Sequence, residues 1–168
     1  MPAKNFILSS DTAAKKMQRM AYEILERNMD EPQIIIAGIK DNGLIIAHKI
    51  KDFLRDIFKG EIIVIEITID KKEPKDISLS REFNFEGKVV IITDDVANSG
   101  KTLLYSLSPF LNFYPKKIQA LVLVERSHKE FPVSPDYVGL SVSTAWDERI
   151  IVETKGNEIL GARLEGTA

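Results

Sequence analysis

Two adjacent carboxylates, Asp94 and Asp95, follow the aliphatic run Val89-Val90-Ile91-Ile92-Thr93 and lead into a small-residue stretch, Val96-Ala97-Asn98-Ser99-Gly100-Lys101-Thr102. Four consecutive aliphatic residues predict a buried parallel strand, and the small residues predict a short loop that opens a helix at Gly100. Loop amides and the positive end of a following helix can hold a phosphate. Ser99 and Thr102 add hydroxyl donors, while Asp94 and Asp95 can accept from ribose hydroxyls. The chemistry implied is recognition of a phosphorylated polyol. A nucleotide-binding P-loop reading of Ser99-Gly100-Lys101-Thr102 fails, because that motif needs a glycine five residues before Gly100, where this chain has Asp95. An ordinary strand-to-helix turn capped by Asn98 or Ser99 explains the loop but not the acid pair.

Elements able to position these residues can be read along the chain. Met17, Met20, Ala21, Ile24 and Leu25 recur at helical spacing between Ser9 and Asn28, with Ser9, Ser10 and Asp11 available as N-caps. Ile34-Ile35-Ile36-Ala37 reads as a short buried strand, and Gly38 to Gly43 as the loop after it. A helix is expected from Leu44 to Phe58, with Ile46, Ala47, Ile50, Phe53, Leu54 and Ile57 facing inward and Gly60 as its stop. Glu61 to Ile69 is again strand. Residues 70–87 are highly charged and aperiodic, which predicts a mobile lid loop. Pro109 should kink or end the helix after Gly100 near Ser108. Ile118 to Val124 is a further buried strand, and Tyr137 to Val142 and Ile150 to Val152 read as shorter strands near the sheet edge. Alternating strands and helices predict one α/β domain over residues 1–168, an open, mainly parallel sheet with helices on both faces.

With 168 residues, the chain can bury a core of its own. Its 23 basic and 25 acidic residues nearly cancel, so no global field favours nucleic acid or an anionic membrane, and any anion site must be local. Cysteine is absent, which excludes disulfides, thiolate nucleophiles and cysteine-bound metals and fits a reducing cytoplasm. No signal-peptide core and no run long enough to span a membrane occurs, so a cytoplasmic location is expected.

In an open parallel sheet a ligand sits at the carboxyl ends of the strands, where the strand order reverses. Three loops belong there: the acid-pair loop, Gly38 to Gly43 with its lysine Lys40, and Glu125-Arg126-Ser127-His128. The first resembles the signature of the type I phosphoribosyltransferases. Gly38-Ile39-Lys40 with Gly43, Ala21 to Asn28, and Leu121 to Glu130 with Pro132 and Asp136-Tyr137-Val138-Gly139 extend the resemblance from about Ile7 to Val152. They are similar to the branch of bifunctional pyrimidine operon attenuators and uracil phosphoribosyltransferases.

The resemblance implies a transfer from 5-phosphoribosyl 1-diphosphate to a nucleobase, with Mg2+ bridging the diphosphate and an oxocarbenium-like ribose forming. Asp94 and Asp95 would hold the ribose hydroxyls as the catalytic pair, and Ala97, Asn98, Ser99, Gly100, Lys101 and Thr102 the 5-phosphate. Lys40, Asp41, Asn42 and Gly43 would hold the diphosphate. Asn98, Glu125, Arg126 and Trp146 would face the base, and Lys71 and Lys72 belong to the lid. Mg2+ is expected to bind through substrate and water without direct protein ligands. A homodimer or higher oligomer is implied.

The chain departs from that branch at four places. Asp41 and Asn42 replace threonine and arginine, which should lower diphosphate affinity. Asn98 replaces tyrosine, and where purine enzymes carry a proton-accepting aspartate it cannot accept a proton. The lid is shorter, with Lys71 in place of arginine. Trp146, the single tryptophan, falls where purine phosphoribosyltransferases place the aromatic that stacks on the base; the competing reading is an edge packing residue. His48 is expected to be solvated, and His128 to be structural or to support the base site. Arg126 can face a substrate or form a surface ion pair.

Two other functions compete with the enzyme. An RNA-binding attenuator needs a basic surface, which Lys15, Lys16 and Arg19 begin but Glu23 and Glu26 interrupt. A nucleotide-sensing module without turnover would fit the departures at Asp41, Asn42 and Asn98. A uracil-like base is expected first and a purine second, with a nucleoside monophosphate as the other ligand.

Overall fold

In the computed structural model, which describes residues 5–166, the chain runs β1 (Phe6–Ser9), α1 (Ser10–Arg27), β2 (Gln33–Ile39), α2 (Asn42–Leu54), β3 (Glu61–Thr68), β4 (Ser78–Leu79) and β5 (Val89–Ala97). It continues with α3 (Lys101–Ser106), a 3-10 turn (Ser108–Phe110), β6 (Lys117–Arg126), β7 (Tyr137–Val142), β8 (Glu148–Lys155) and β9 (Glu158–Gly166). Six strands form the main sheet in the order β4-β3-β2-β5-β6-β7, parallel except for β4. The chain leaves β2 toward β3 on one side and returns to β5 on the other. The strand order therefore reverses between β2 and β5, which is where an open sheet leaves a crevice at its carboxyl edge.

The aliphatic runs become central strands because both of their faces are covered. Ile34 and Ile36 of β2, with Val89 and Ile91 of β5, pack under α1 and α2. Ile35 and Ala37, with Val90 and Ile92, pack on the opposite face against Leu103 and Phe110. Alternation of side chains across a strand makes this division automatic, so only a continuous apolar run satisfies both layers. Helix α1 begins at the expected cap, where the Ser9 hydroxyl accepts the Thr12 amide at 3.2 Å.

Two expectations are corrected and two are refined. Helix α2 ends at Leu54, short of Phe58; the residues to Phe58 form a turn whose amide bonds return to Leu54. The stretch Ile150 to Val152 is not a main-sheet edge: it lies within β8, in a separate antiparallel sheet β1-β9-β8 that stands over the crevice. The opposite face of the main sheet is covered partly by non-helical chain, because Pro109 limits α3 to six residues and turns the next three into a 3-10 helix. Residues 70–87 are not irregular throughout. Ser78 and Leu79 pair with β3, and Phe85 is fully buried, edge-on to Phe110 at 4.8 Å.

Candidate functional site

Strand β5 carries Asp94 and Asp95 in its second half, where Asp94 is still in register with Val122 of β6. Alternation sends the two side chains to different neighbours. Asp94 is 1% exposed; its Oδ1 accepts the Asp95 amide at 2.9 Å and lies 3.7 Å from the Lys71 ammonium. Burial, with the Asp95 carboxylate beside it, holds the Asp94 carboxyl well above the usual carboxylate range, and Lys71 offsets this only in part. Asp95 is half-buried, with Oδ1 on the Val96 amide at 2.8 Å and Oδ2 on the Asn42 amide nitrogen at 2.8 Å. Both carboxylates line a cavity of about 290 Å3 with residues 96–103, Asn42, Lys71 and residues 150–152.

The loop after the acids is formed by local backbone chemistry. Gly100 has φ of 86°, a left-handed conformation that a side chain would strain. The first helical bond runs from the Leu104 amide to the Gly100 carbonyl, so the amides of the first turn of α3 have no helical partners. Ser99 accepts the Lys101 amide at 3.2 Å through its hydroxyl and the Glu130 and Phe131 amides, each at 3.0 Å, through its carbonyl. The segment after β6 thereby braces the loop. With α3 so short, the amides themselves, more than a helix dipole, supply the positive potential.

The second loop meets the first at Gly43, whose carbonyl accepts the buried Thr93 hydroxyl at 2.8 Å. A Cβ on Gly43 would stand 2.6 Å from the Thr93 carbonyl oxygen, so glycine is what lets α2 start against β5. Asp41 caps α2 at φ 71°, a left-handed conformation unusual for a residue with a side chain, without a side-chain cap bond. Asn42 enters the cavity, while Lys40 and Asp41 are exposed and do not line it; Lys40 is fixed by its amide on the Ile67 carbonyl. The crevice therefore gathers Asp94, Asp95, the 97–102 loop, Asn42 and Lys71, but leaves Lys40, Asp41 and the exposed Lys72 outside its wall.

The residues expected at the base end are distributed differently. Glu125 forms a largely buried ion pair with Lys129 at 2.6 Å. Arg126 donates to the Glu148 carbonyl at 2.5 Å, tying β6 to β8, and its Nε is buried with no partner. Neither lines the cavity. Asn98 does line it, and its Oδ1 accepts the Ile150 amide at 3.5 Å. Trp146 is 92% exposed, which overturns the packed-edge reading and leaves a free aromatic face four residues from Ile150. His48 and His128 are both exposed. Ile150, Val152 and Thr154 of β8 were not foreseen as parts of this region; no motif marks them, and only the second sheet brings them over β5. Among the described residues no group of three or more histidine, cysteine or acidic side chains could cage a metal, and no helix is long and apolar enough to cross a membrane.

The phosphoribosyl transferase domain family matches residues 6–154. A bifunctional protein PyrR from Enterococcus faecalis is 35% identical over 162 residues, covering 91% of this chain and 90% of the relative. A Streptococcus pneumoniae bifunctional protein PyrR is 36% identical over 148 residues, covering 84% and 85%. Among solved structures, the hypoxanthine phosphoribosyltransferase of Trypanosoma cruzi superposes with a TM-score of 0.78 at 17% identity, over 97% of this chain and 98% of that one. A hypoxanthine-guanine phosphoribosyltransferase from Bacillus anthracis gives 0.71 at 22% identity, over 90% and 88%. The structural likeness establishes the fold, and the sequence matches narrow it: this chain belongs to the phosphoribosyltransferase family, in the branch of the bifunctional PyrR proteins.

Proposed function

We propose that this phosphoribosyltransferase transfers a 5-phosphoribosyl group from 5-phosphoribosyl 1-diphosphate to a nucleobase, uracil-like first and purine second, and releases diphosphate. The observation that carries the reading is the acid pair, Asp94 buried and Asp95 half-buried, beside an amide-rich loop in one cavity. Asp94 and Asp95 accept from the ribose hydroxyls. The amides and hydroxyls of residues 97–102 take the 5-phosphate, and the Asn42–Gly43 start of α2 faces the diphosphate, with Lys40 as a cation outside the wall. As the anomeric C–O bond to diphosphate breaks, the C–N bond to the base forms, and the base nitrogen's proton passes to water, since Asn98 cannot accept it.

The donor set fits Mg2+ in one manner. Two carboxylates without a third acidic or histidine partner among the described residues suit an ion that Asp94 and Asp95 would help hold through water. Bound there, Mg2+ would supply charge neutralisation for the departing diphosphate. Lys71, already beside Asp94, belongs to residues 70–87, which we read as the lid. The exposed face of Trp146 is offered to the base. We read the protein as cytoplasmic and as a homodimer or larger.

Titration with UMP, GMP and IMP tests the ligand class. At least one, UMP first, should bind and quench the single indole, and Trp146→Ala should weaken it by about fivefold, in keeping with the worth of an aromatic stack. The absence of binding by all three in calorimetry would overturn the reading. Binding without quenching would remove Trp146 from the base site.

RNA regulation is the second reading, carried by the resemblance to the pyrimidine operon attenuators, and the geometry weighs against it. Arg19 donates to Glu23 and to the Val138 and Gly139 carbonyls, the latter two at 3.0 Å, so it is committed within the fold. Only Lys15 and Lys16 of the basic start of α1 lack such ties among the bonds seen. RNA association should be weak and fall steeply between about 50 and 200 mM salt. A hairpin-specific complex that survives physiological salt in a filter-binding assay, and is lost in Lys16→Ala/Arg19→Ala, would reverse this ranking.

A further inference from the structure

Asn42 stands where the diphosphate loop would offer a side chain to the leaving group, yet its amide is committed elsewhere. Its Nδ2 donates to Asp95 Oδ2 at 2.8 Å and to the Val152 carbonyl at 3.3 Å, and its Oδ1 accepts the Thr154 hydroxyl at 3.1 Å. The orientation of the amide is fixed by chemistry: a flipped amide would aim its oxygen at a carboxylate and a carbonyl. These partners lie 53, 110 and 112 residues away, so one side chain joins the start of α2, the acid strand β5 and the covering strand β8.

We propose that Asn42 is a positioning residue for Asp95 and that its side chain does not contact diphosphate. With Oδ1 on the Val96 amide and Oδ2 on Asn42, both Asp95 oxygens are held, which fixes the plane of the carboxylate. Each oxygen keeps a further lone pair for a sugar hydroxyl. Thr154 in turn fixes Asn42, so the hydroxyl-binding geometry of β5 depends on β8 being docked over it. Diphosphate is then left to backbone amides and to cations outside this network. The inference rests on the reading of Asp95 as an acceptor for a sugar hydroxyl.

Calorimetric titration of wild type, Asn42→Ala, Asn42→Asp and Thr154→Val with UMP and with its 2′,3′-dideoxy analogue tests this. Asn42→Ala should weaken UMP by about tenfold, the effect of losing a hydrogen bond to a charged group. Asn42→Asp, which keeps shape but sets a second carboxylate against Asp95, should weaken it more, and Thr154→Val by about threefold. For the dideoxy analogue every variant should lie within about twofold of wild type, because the hydroxyls that Asp95 reads are gone. Equal losses for both ligands would make Asn42 merely structural and overturn the inference, as would UMP binding by both Asn42 variants within about twofold of wild type. Wild type that binds no nucleotide would overturn the site reading itself, and this inference with it; wild type that binds while the variants match it overturns the inference alone.

Discussion

Replacing both Asp94 and Asp95 by asparagine should abolish measurable binding of UMP or 5-phosphoribosyl 1-diphosphate, a loss on the order of a hundredfold or more, while the protein stays folded. Each charge-assisted acceptor contributes more than a neutral one, and two are removed. Stability should move in the opposite direction. The Asp94 carboxyl is held above its unfolded value by burial and then by the charge of Asp95. A raised carboxyl contributes stability that is fully present below the unfolded value, near about 4, and is lost as pH rises through the raised folded value. At neutral pH the folded protein therefore carries the penalty of a desolvated Asp94 carboxyl whose charged form burial disfavours, which Asp94→Asn relieves. Its Tm should exceed that of wild type by about 2–4 °C at pH 8, an effect of about 1 kcal/mol for a chain of this length. The difference should shrink toward zero as pH approaches about 4. Calorimetric scans of both proteins across that range check the sign; a variant less stable than wild type at pH 8 would show that Asp94 supports the fold. Unchanged nucleotide affinity in the double variant would remove the central functional claim.

Gly43→Ala should damage both fold and site. The added Cβ would meet the Thr93 carbonyl oxygen at 2.6 Å, the Ile39 Cβ at 3.1 Å and the Asp94 Cα at 3.3 Å, and the two on β5 are backbone atoms that cannot rotate away. Either α2 lifts from the sheet or β5 shifts. Overpacking of this kind costs about 1–3 kcal/mol, so Tm should fall by about 3–10 °C. Because the displaced atoms belong to Thr93 and Asp94, nucleotide affinity measured well below Tm should also fall, by about tenfold or more. Gly166→Ala is the control: nothing lies within 4 Å of its added Cβ, and it should leave both measurements unchanged. Equal behaviour of the two variants would show that the α2–β5 contact is more compliant than its geometry indicates.

The sequence by itself determined the central strands and the chemistry of the acid-pair loop. Ile34 to Ala37, Val89 to Ile92 and Leu121 to Val124 are continuous apolar runs, and only a strand covered on both faces buries every one of those side chains. The acids, the small residues and the left-handed Gly100 are contiguous, so their juxtaposition needs no tertiary contact. Pro109, just beyond α3, likewise announced an early end, though not its exact residue.

Tertiary structure alone decided what stands above that loop. Strand β9 has no clear sequence signal because Gly161, at φ 142° with the Leu8 carbonyl oxygen 2.4 Å from its would-be Cβ, interrupts alternation at the point where β8 changes register. Strand β1 has only four residues, too few to show a period. Without β1 and β9 in view, the pattern assigns Ile150 to Val152 to the edge of the main sheet, which gives Val152 and Thr154 no route to Asn42. Sequence likewise could not show how Asn42 is held, because two of its three side-chain partners lie more than 100 residues away, nor choose between the packed and free readings of Trp146, which a single residue without periodicity leaves equal. Local order is written in short-range pattern; the partners of a polar side chain depend on which distant backbone the fold brings within hydrogen-bond reach, and here that backbone belongs to the second sheet.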